Sequence, residues 1–125
     1  MLLDDSIVRG TTSKEVVKLV RDAGAKKVYF VSASPPVISP CYYGVDFPTR
    51  AELIAAKNSA EEIRNFIGAD LLLYQTLEDL IEAITRKGDH NIKRPCMACL
   101  DKWYVTGDIT EEKIQQLEKK WSKDT

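Results

Sequence analysis

Histidine occurs once in this chain, at His90, and cysteine three times. One histidine excludes a two-histidine metal centre and makes a Ser-His-Asp arrangement a poor candidate. His90 itself lies in a polar stretch and is read as a solvated loop residue. An odd cysteine count without a secretion signal argues against a disulfide scaffold. Neither sign of charge dominates: 18 Lys+Arg against 19 Asp+Glu leave a net charge of −1. A general electrostatic grip on nucleic acid or anionic lipid needs a basic excess that is absent here. No apolar run approaches the roughly 18 residues of a membrane span. Met1-Leu2-Leu3-Asp4-Asp5 has neither the basic flank nor the apolar core of a signal peptide. Internal repeats and low-complexity segments are also missing. The expectation is a cytoplasmic single domain, or part of one, with neither nucleic acid nor membrane as partner.

What is present suits a packed core. Hydrophobic residues make up 44% of 125 positions and charged residues 30%, the balance of a globular protein. Leu2-Leu3 reads as a short strand, and Val16, Val17, Leu19, Val20 and Ala23 recur at helical spacing. Thr12 or Ser13 is placed to cap that helix and Gly24 to end it. Val28–Val31 and Leu71–Tyr74 are continuous apolar runs of the kind found in strands buried on both faces. Residues 32–48 hold four prolines and form a long irregular connection. Thr49–Glu52 and Ser59–Glu62 both fit the capping box, so each should open a helix. Thr76 should cap another helix, with Leu77, Leu80, Ile81 and Ile84 on one face. Residues 86–94 are polar and basic, a solvated loop. A last helix should run from about Thr110 to Trp121, and Trp103 and Trp121 should pack against the sheet. Short buried strands alternating with amphipathic helices imply an α/β fold with a parallel sheet and flanking helices. Three strands are few for such a sheet, and the strand feeding a ligand loop is usually central. The expectation is that N-terminal strands belong to a segment outside this chain.

The most informative stretch is Leu2-Leu3-Asp4-Asp5-Ser6-Ile7-Val8-Arg9-Gly10-Thr11-Thr12-Ser13. It joins an apolar strand to two adjacent carboxylates, then to a turn of small hydroxyl residues entering a helix. Such a turn offers unpaired N–H groups, hydroxyl donors and the positive end of the helix dipole to an anion. Two neighbouring carboxylates suit hydrogen bonds from vicinal sugar hydroxyls, or a divalent cation. Together they describe a site for a ribose 5-phosphate. The bland alternative is a surface loop whose Thr11, Thr12 and Ser13 only cap the helix; the Walker pattern is absent.

This run resembles the phosphoribosyl-pyrophosphate (PRPP) motif of type I phosphoribosyltransferases, in the version found in the glutamine-dependent amidophosphoribosyltransferases. Ala23–Tyr29, Ser34-Pro35-Pro36, Tyr43–Asp46, Thr49–Ala55, Glu61–Arg64 and Ile67–Asp70 are similar to the same family. The likeness covers roughly residues 1–85 and continues more loosely to about Thr110. It implies a partial type I phosphoribosyltransferase fold, Rossmann-like, whose C-terminal part spans 1–86, with a tail over 87–125. In that family a glutaminase domain releases ammonia, which displaces pyrophosphate from C1 of PRPP to give 5-phosphoribosylamine, the first committed step of purine synthesis. By resemblance, Asp4 and Asp5 hold the ribose hydroxyls and help place Mg²⁺. Arg9, Gly10, Thr11, Thr12 and Ser13 hold the 5-phosphate, and Ser6 supports the turn; none is a nucleophile. The glutaminase half, the pyrophosphate loop and the lid are not in this sequence, so the chain alone is expected to be inactive. The resemblance further implies purine nucleotides as feedback inhibitors and a homo-oligomeric full enzyme. A non-catalytic phosphoribosyl- or nucleotide-binding module, and a segment that binds no ligand, are the competing readings.

Some members of the family carry a [4Fe–4S] cluster on four cysteines. Pro40-Cys41-Tyr42 and Cys96-Met97-Ala98-Cys99 match three of those places, and the fourth ligand would lie outside this chain. The tail Tyr104–Asp108 is more similar to members without a cluster, so three reduced thiols with no cofactor is the other reading. The helix over 110–121 either docks on the glutaminase half or is an ordinary core helix.

Overall fold

A computed structural model describes residues 1–86 and 91–122; His90 lies outside them. Three short strands, β1 (Leu2–Asp4), β2 (Tyr29–Ser32) and β3 (Leu71–Tyr74), form one parallel sheet in the order β1-β2-β3. Leu2 pairs with Phe30 and Phe30 with Leu72; two rows further on, Asp4, Ser32 and Tyr74 stand side by side. Parallel neighbours need crossover connections, and the helices α1 (Thr11–Asp22) and α2 (Ala60–Ile67) lie in the two crossovers.

Alternation along the strands decides the core. Leu2, Phe30, Leu72 and Tyr74 pack with Ile7, Val17, Val28, Ile63, Ile67 and Ala69. The other side of the sheet carries Leu3 and Leu73, 71% and 51% exposed, and Leu71 and Tyr29 are exposed too. The expectation of strands buried on both faces is therefore corrected: among the described residues only one face is covered. The apolar runs could not reveal this, because a run has no alternation to mark which face is inward.

α2 matches its prediction. Ser59 Oγ accepts from the Glu62 N–H while the Glu62 carboxylate accepts from the Ser59 N–H, and Gly68 ends the helix with φ +77°. Thr76 caps α3 (Leu77–Thr85) in the same way as Thr110 caps α5 (Glu111–Trp121). The predicted helix after Thr49 does not form. Thr49–Glu52 make a turn, followed only by a 3₁₀ segment over Ile54–Ala56. The reason is tertiary: the Ile54 N–H donates to the Val8 carbonyl at 3.0 Å, and the Glu52 carboxylate is taken by Arg9.

A second small core lies beyond β3. Ala98 in the short helix α4 (Ala98–Asp101), Tyr104 and Ile114 pack with Tyr42 and Ile109. The Tyr104 hydroxyl donates to the Pro40 carbonyl at 2.7 Å and sits 2.8 Å from Ser39 Oγ, while the Ile38 and Ser39 N–H groups donate to the Cys99 carbonyl. These bonds order the proline-rich connection by stitching it to the tail. The two tryptophans do not pack on the sheet as expected. Trp121 stacks on Tyr42, with ring centres 5.9 Å apart. Trp103, 52% exposed, lies beneath the Arg94 guanidinium at 4.7 Å.

Candidate anion-binding site

The loop between β1 and α1 closes on itself around one cavity of about 270 Å³. Asp4, Asp5, Ser6, Val8, Arg9, Gly10, Thr11, Thr12 and Ser13 line it. The chain reaches this shape because β1 ends at Asp4, whose carbonyl accepts from the Ala33 N–H at 2.9 Å, and the Asp5 carbonyl accepts from Ser34 N–H at 2.9 Å. The strand edge thus presents both acids at the C-terminal end of the sheet, where open α/β folds place their ligands. The Asp4 carboxylate accepts from the Asp5 N–H, and the Asp5 carboxylate from Ser6 Oγ at 3.2 Å. Each acid keeps a second oxygen for other partners.

The start of α1 differs from the expectation. Neither Thr12 nor Ser13 caps it; the helix begins at Thr11 behind Gly10, whose φ is +80°, with no side-chain cap. The first intrahelical bond runs from Lys14 N–H to the Gly10 carbonyl at 3.0 Å. The amides of Thr11, Thr12 and Ser13 therefore point out of the helix end without the hydroxyl caps that Ser59, Thr76 and Thr110 supply to α2, α3 and α5. The first turn of α1 also lacks acids, whereas α2, α3 and α5 carry two each there. An acid would complement the dipole; leaving it out keeps the positive helix end open to an external anion. Gly10 is required twice over. Its backbone is left-handed, and a Cβ would stand 2.9 Å from Ile54 Cδ1 and 3.1 Å from Phe66 Cε1.

All eight residues that sequence reasoning assigned to the site meet at this cavity. Val8, Glu52, Ile54 and Phe66 were not assigned. Glu52 accepts from Arg9 Nε at 3.2 Å, Ile54 bonds Val8, and Phe66 backs Gly10. Nothing in the sequence around Arg9 pointed to Glu52, 43 residues away.

The cysteines do not form a metal centre on their own. Cys41 and Cys99 are half-buried and Cys96 is exposed; all three are free thiols. Burial pushes the Cys99 thiol up, and the nearby Cys41 and Cys96 add to it. Among the described residues, no group of three or more His, Cys, Asp or Glu converges to hold a metal ion. Three thiols are also one short of the four that a [4Fe–4S] cluster takes.

No family model matches the chain. Known sequences do. Over 112 residues, 90% of its length, it is 50% identical to amidophosphoribosyltransferase of Archaeoglobus fulgidus, of which it covers 24%. This chain is homologous to one segment of the amidophosphoribosyltransferases. The Escherichia coli enzyme is 46% identical over 111 residues, with 22% of its length covered. The chain spans about a quarter of the length of the curated relatives it matches. Its fold is theirs as well. It superposes with a TM-score of 0.73 and 43% identity on the glutamine PRPP amidotransferase of Bacillus subtilis, solved in complex with ADP and GMP, covering 90% of this chain and 25% of that one. A second solved structure, described as the allosteric regulatory enzyme of purine biosynthesis, also gives 0.73 at 47% identity, covering 82% of this chain and 22% of that one. The region that this chain shares with those enzymes is thus a parallel three-stranded sheet with flanking helices, built around the loop just described.

Proposed function

We propose that this chain supplies the ribose-5-phosphate site of an amidophosphoribosyltransferase, the enzyme that makes 5-phosphoribosylamine from PRPP and glutamine-derived ammonia. One observation carries the reading: two acids and an uncapped helix N-terminus line the same cavity. The backbone amides of Thr11, Thr12 and Ser13 and their hydroxyls donate to the 5-phosphate, and Arg9 adds a guanidinium at the rim. Asp4 and Asp5 accept from the 2- and 3-hydroxyls of the ribose. Ser6 holds the turn. None of these groups forms a bond to the sugar; they act by fixing C1 relative to the incoming nitrogen.

The two carboxylates fit Mg²⁺, which favours oxygen ligands and is commonly held by one or two carboxylates with substrate phosphates. When bound, Mg²⁺ neutralises charge on a pyrophosphate leaving group. The residues of this chain do not by themselves fit an iron–sulfur cluster. The glutaminase half and the other strands of the transferase domain would be partners within the full enzyme, itself a homo-oligomer, and the chain alone would lack amidotransferase activity. No helix among the described residues is long and apolar enough to cross a membrane.

Purine nucleoside monophosphates carry the same phosphate and diol as PRPP, so the cavity would also admit them as inhibitors. The solved B. subtilis relative is complexed with ADP and GMP. Calorimetry with PRPP and Mg²⁺ tests the proposal. Saturable binding that is competed by GMP supports it, and absence of heat with a folded chain overturns it.

A further inference from the structure

Among the described residues Arg9 is the one cation that lines the cavity, and it stands 53% exposed on a loop. A free arginine side chain loses rotamer entropy whenever it closes on a ligand. Here that freedom is already removed. Its Nε donates to Glu52 Oε1 at 3.2 Å, and the second Glu52 oxygen accepts from Thr49 Oγ1 at 3.3 Å. The backbone of Glu52 is set by its own N–H donating to the Thr49 carbonyl at 2.9 Å. The adjoining residue of each partner is tied too: the Val8 carbonyl takes the Ile54 N–H, and Leu53 N–H donates to the Thr49 carbonyl.

From this geometry we infer that Glu52 is a positioning residue for the anion site, holding Arg9 by its inner nitrogen so that its two terminal nitrogens remain for a phosphate. Glu52 itself does not line the cavity; it lines a neighbouring one of about 240 Å³ that shares Arg9. It therefore acts through Arg9. A single Nε bond suits this task, because the guanidinium fork can offer its terminal N–H pair to a dianion in bidentate fashion. The negative charge of Glu52 works against an anion only weakly. It is matched by Arg9 and half-exposed to water, where screening is strong. The inference rests on the ribose-phosphate reading of the cavity.

The test is titration calorimetry of the whole chain with ribose 5-phosphate, using Glu52→Gln, Glu52→Met, Arg9→Ala and the Arg9→Ala/Glu52→Met double variant. Gln keeps an acceptor for Arg9 Nε at the same length, and Met removes it without shortening the side chain. The expected result is about a fivefold loss of affinity for Glu52→Met, and less than about twofold for Glu52→Gln, since only the first frees the arginine rotamers. In the Arg9→Ala background Glu52→Met should change nothing further, with melting temperatures held close. Unchanged or tighter binding by Glu52→Met overturns the inference, as does an equal loss in both backgrounds, which would mark a general structural role. If Glu52→Met does not fold, Glu52→Gln binding as weakly as Arg9→Ala overturns it, and near-normal binding supports it. Ribose 5-phosphate failing to bind the folded wild-type chain would instead overturn the reading of the site itself, and the inference with it.

Discussion

The Ile54 N–H donates to the carbonyl oxygen of Val8 at 3.0 Å. This one bond joins the end of the proline-rich connection to the loop that closes the anion site, 46 residues earlier in sequence. It places the Ile54 side chain behind Gly10, so the floor of the loop is a tertiary contact and not a local turn alone.

Gly10→Ala should damage both folding and binding. A left-handed backbone disfavours any Cβ by roughly 1–2 kcal/mol, and the contact with Ile54 Cδ1 at 2.9 Å adds to that. Denaturant unfolding should show a loss of about 2–3 kcal/mol, and ribose 5-phosphate should no longer register by calorimetry. Wild-type stability in this variant would contradict the loop geometry.

Asp4→Asn and Asp5→Asn should leave folding nearly unchanged, because both side chains line the open cavity and their carboxylates bond only within the loop. Under the proposed function, each should lower PRPP affinity at fixed Mg²⁺ by at least about tenfold when placed in a full-length enzyme, the scale of a lost charged hydrogen bond. Steady-state kinetics decide it: unchanged turnover and unchanged PRPP affinity would refute the assigned roles.

Arg50 anchors α5. Its Nε and a terminal nitrogen donate to Glu118, its other terminal nitrogen to Glu111 at 2.6 Å, and its backbone N–H to Glu118 at 2.8 Å. Arg50 and Glu118 are only 21% and 18% exposed, and their hydrogen bonds hold the guanidinium protonated at any accessible pH. Arg50→Ala should cost about 1–3 kcal/mol by leaving the Glu118 charge half-buried without its partner. Hydrogen exchange should accelerate through 111–121 while the amides of β2 stay protected. Equal acceleration in both regions would mean that α5 does not open separately.

Acid should weaken the junction of α1 with β2 and β3. The Asp70 carboxylate accepts from Val28 N–H at 2.7 Å and from Arg21 at 2.8 Å. The Val28 N–H first, then Arg21, holds its pKa below the usual carboxylate value. A depressed native pKa means that the unfolded chain binds the proton more readily, so this stabilisation is present above about pH 4 and fades as pH falls through the native value. Asp70→Asn should flatten that acid limb of the stability curve. A stability profile with the same acid slope in both proteins would rule out Asp70 as a contributor.

Much of the local structure was legible in the chain. Ser59, Glu62 and Gly68 state their helix completely, because caps are short-range hydrogen bonds between neighbours. The members of the candidate loop were legible, since Asp4 to Ser13 are contiguous, but the start of α1 behind Gly10 was not. The Thr49–Glu52 box has the same letters as Ser59–Glu62 yet forms no helix. What distinguishes them is Arg9 and Val8, two residues brought up by the sheet and not by nearby sequence.

By itself, then, the sequence determined the parallel α/β pattern, the capped starts of α2, α3 and α5, and the residues that line the loop cavity, all of which depend on spacing within a dozen residues. Tertiary structure decided which face of the sheet is covered, what backs Gly10, and which acid holds Arg9. Those outcomes depend on groups more than forty positions apart, such as Arg9 with Glu52, whose meeting follows only from how the strands align and the connection between them returns.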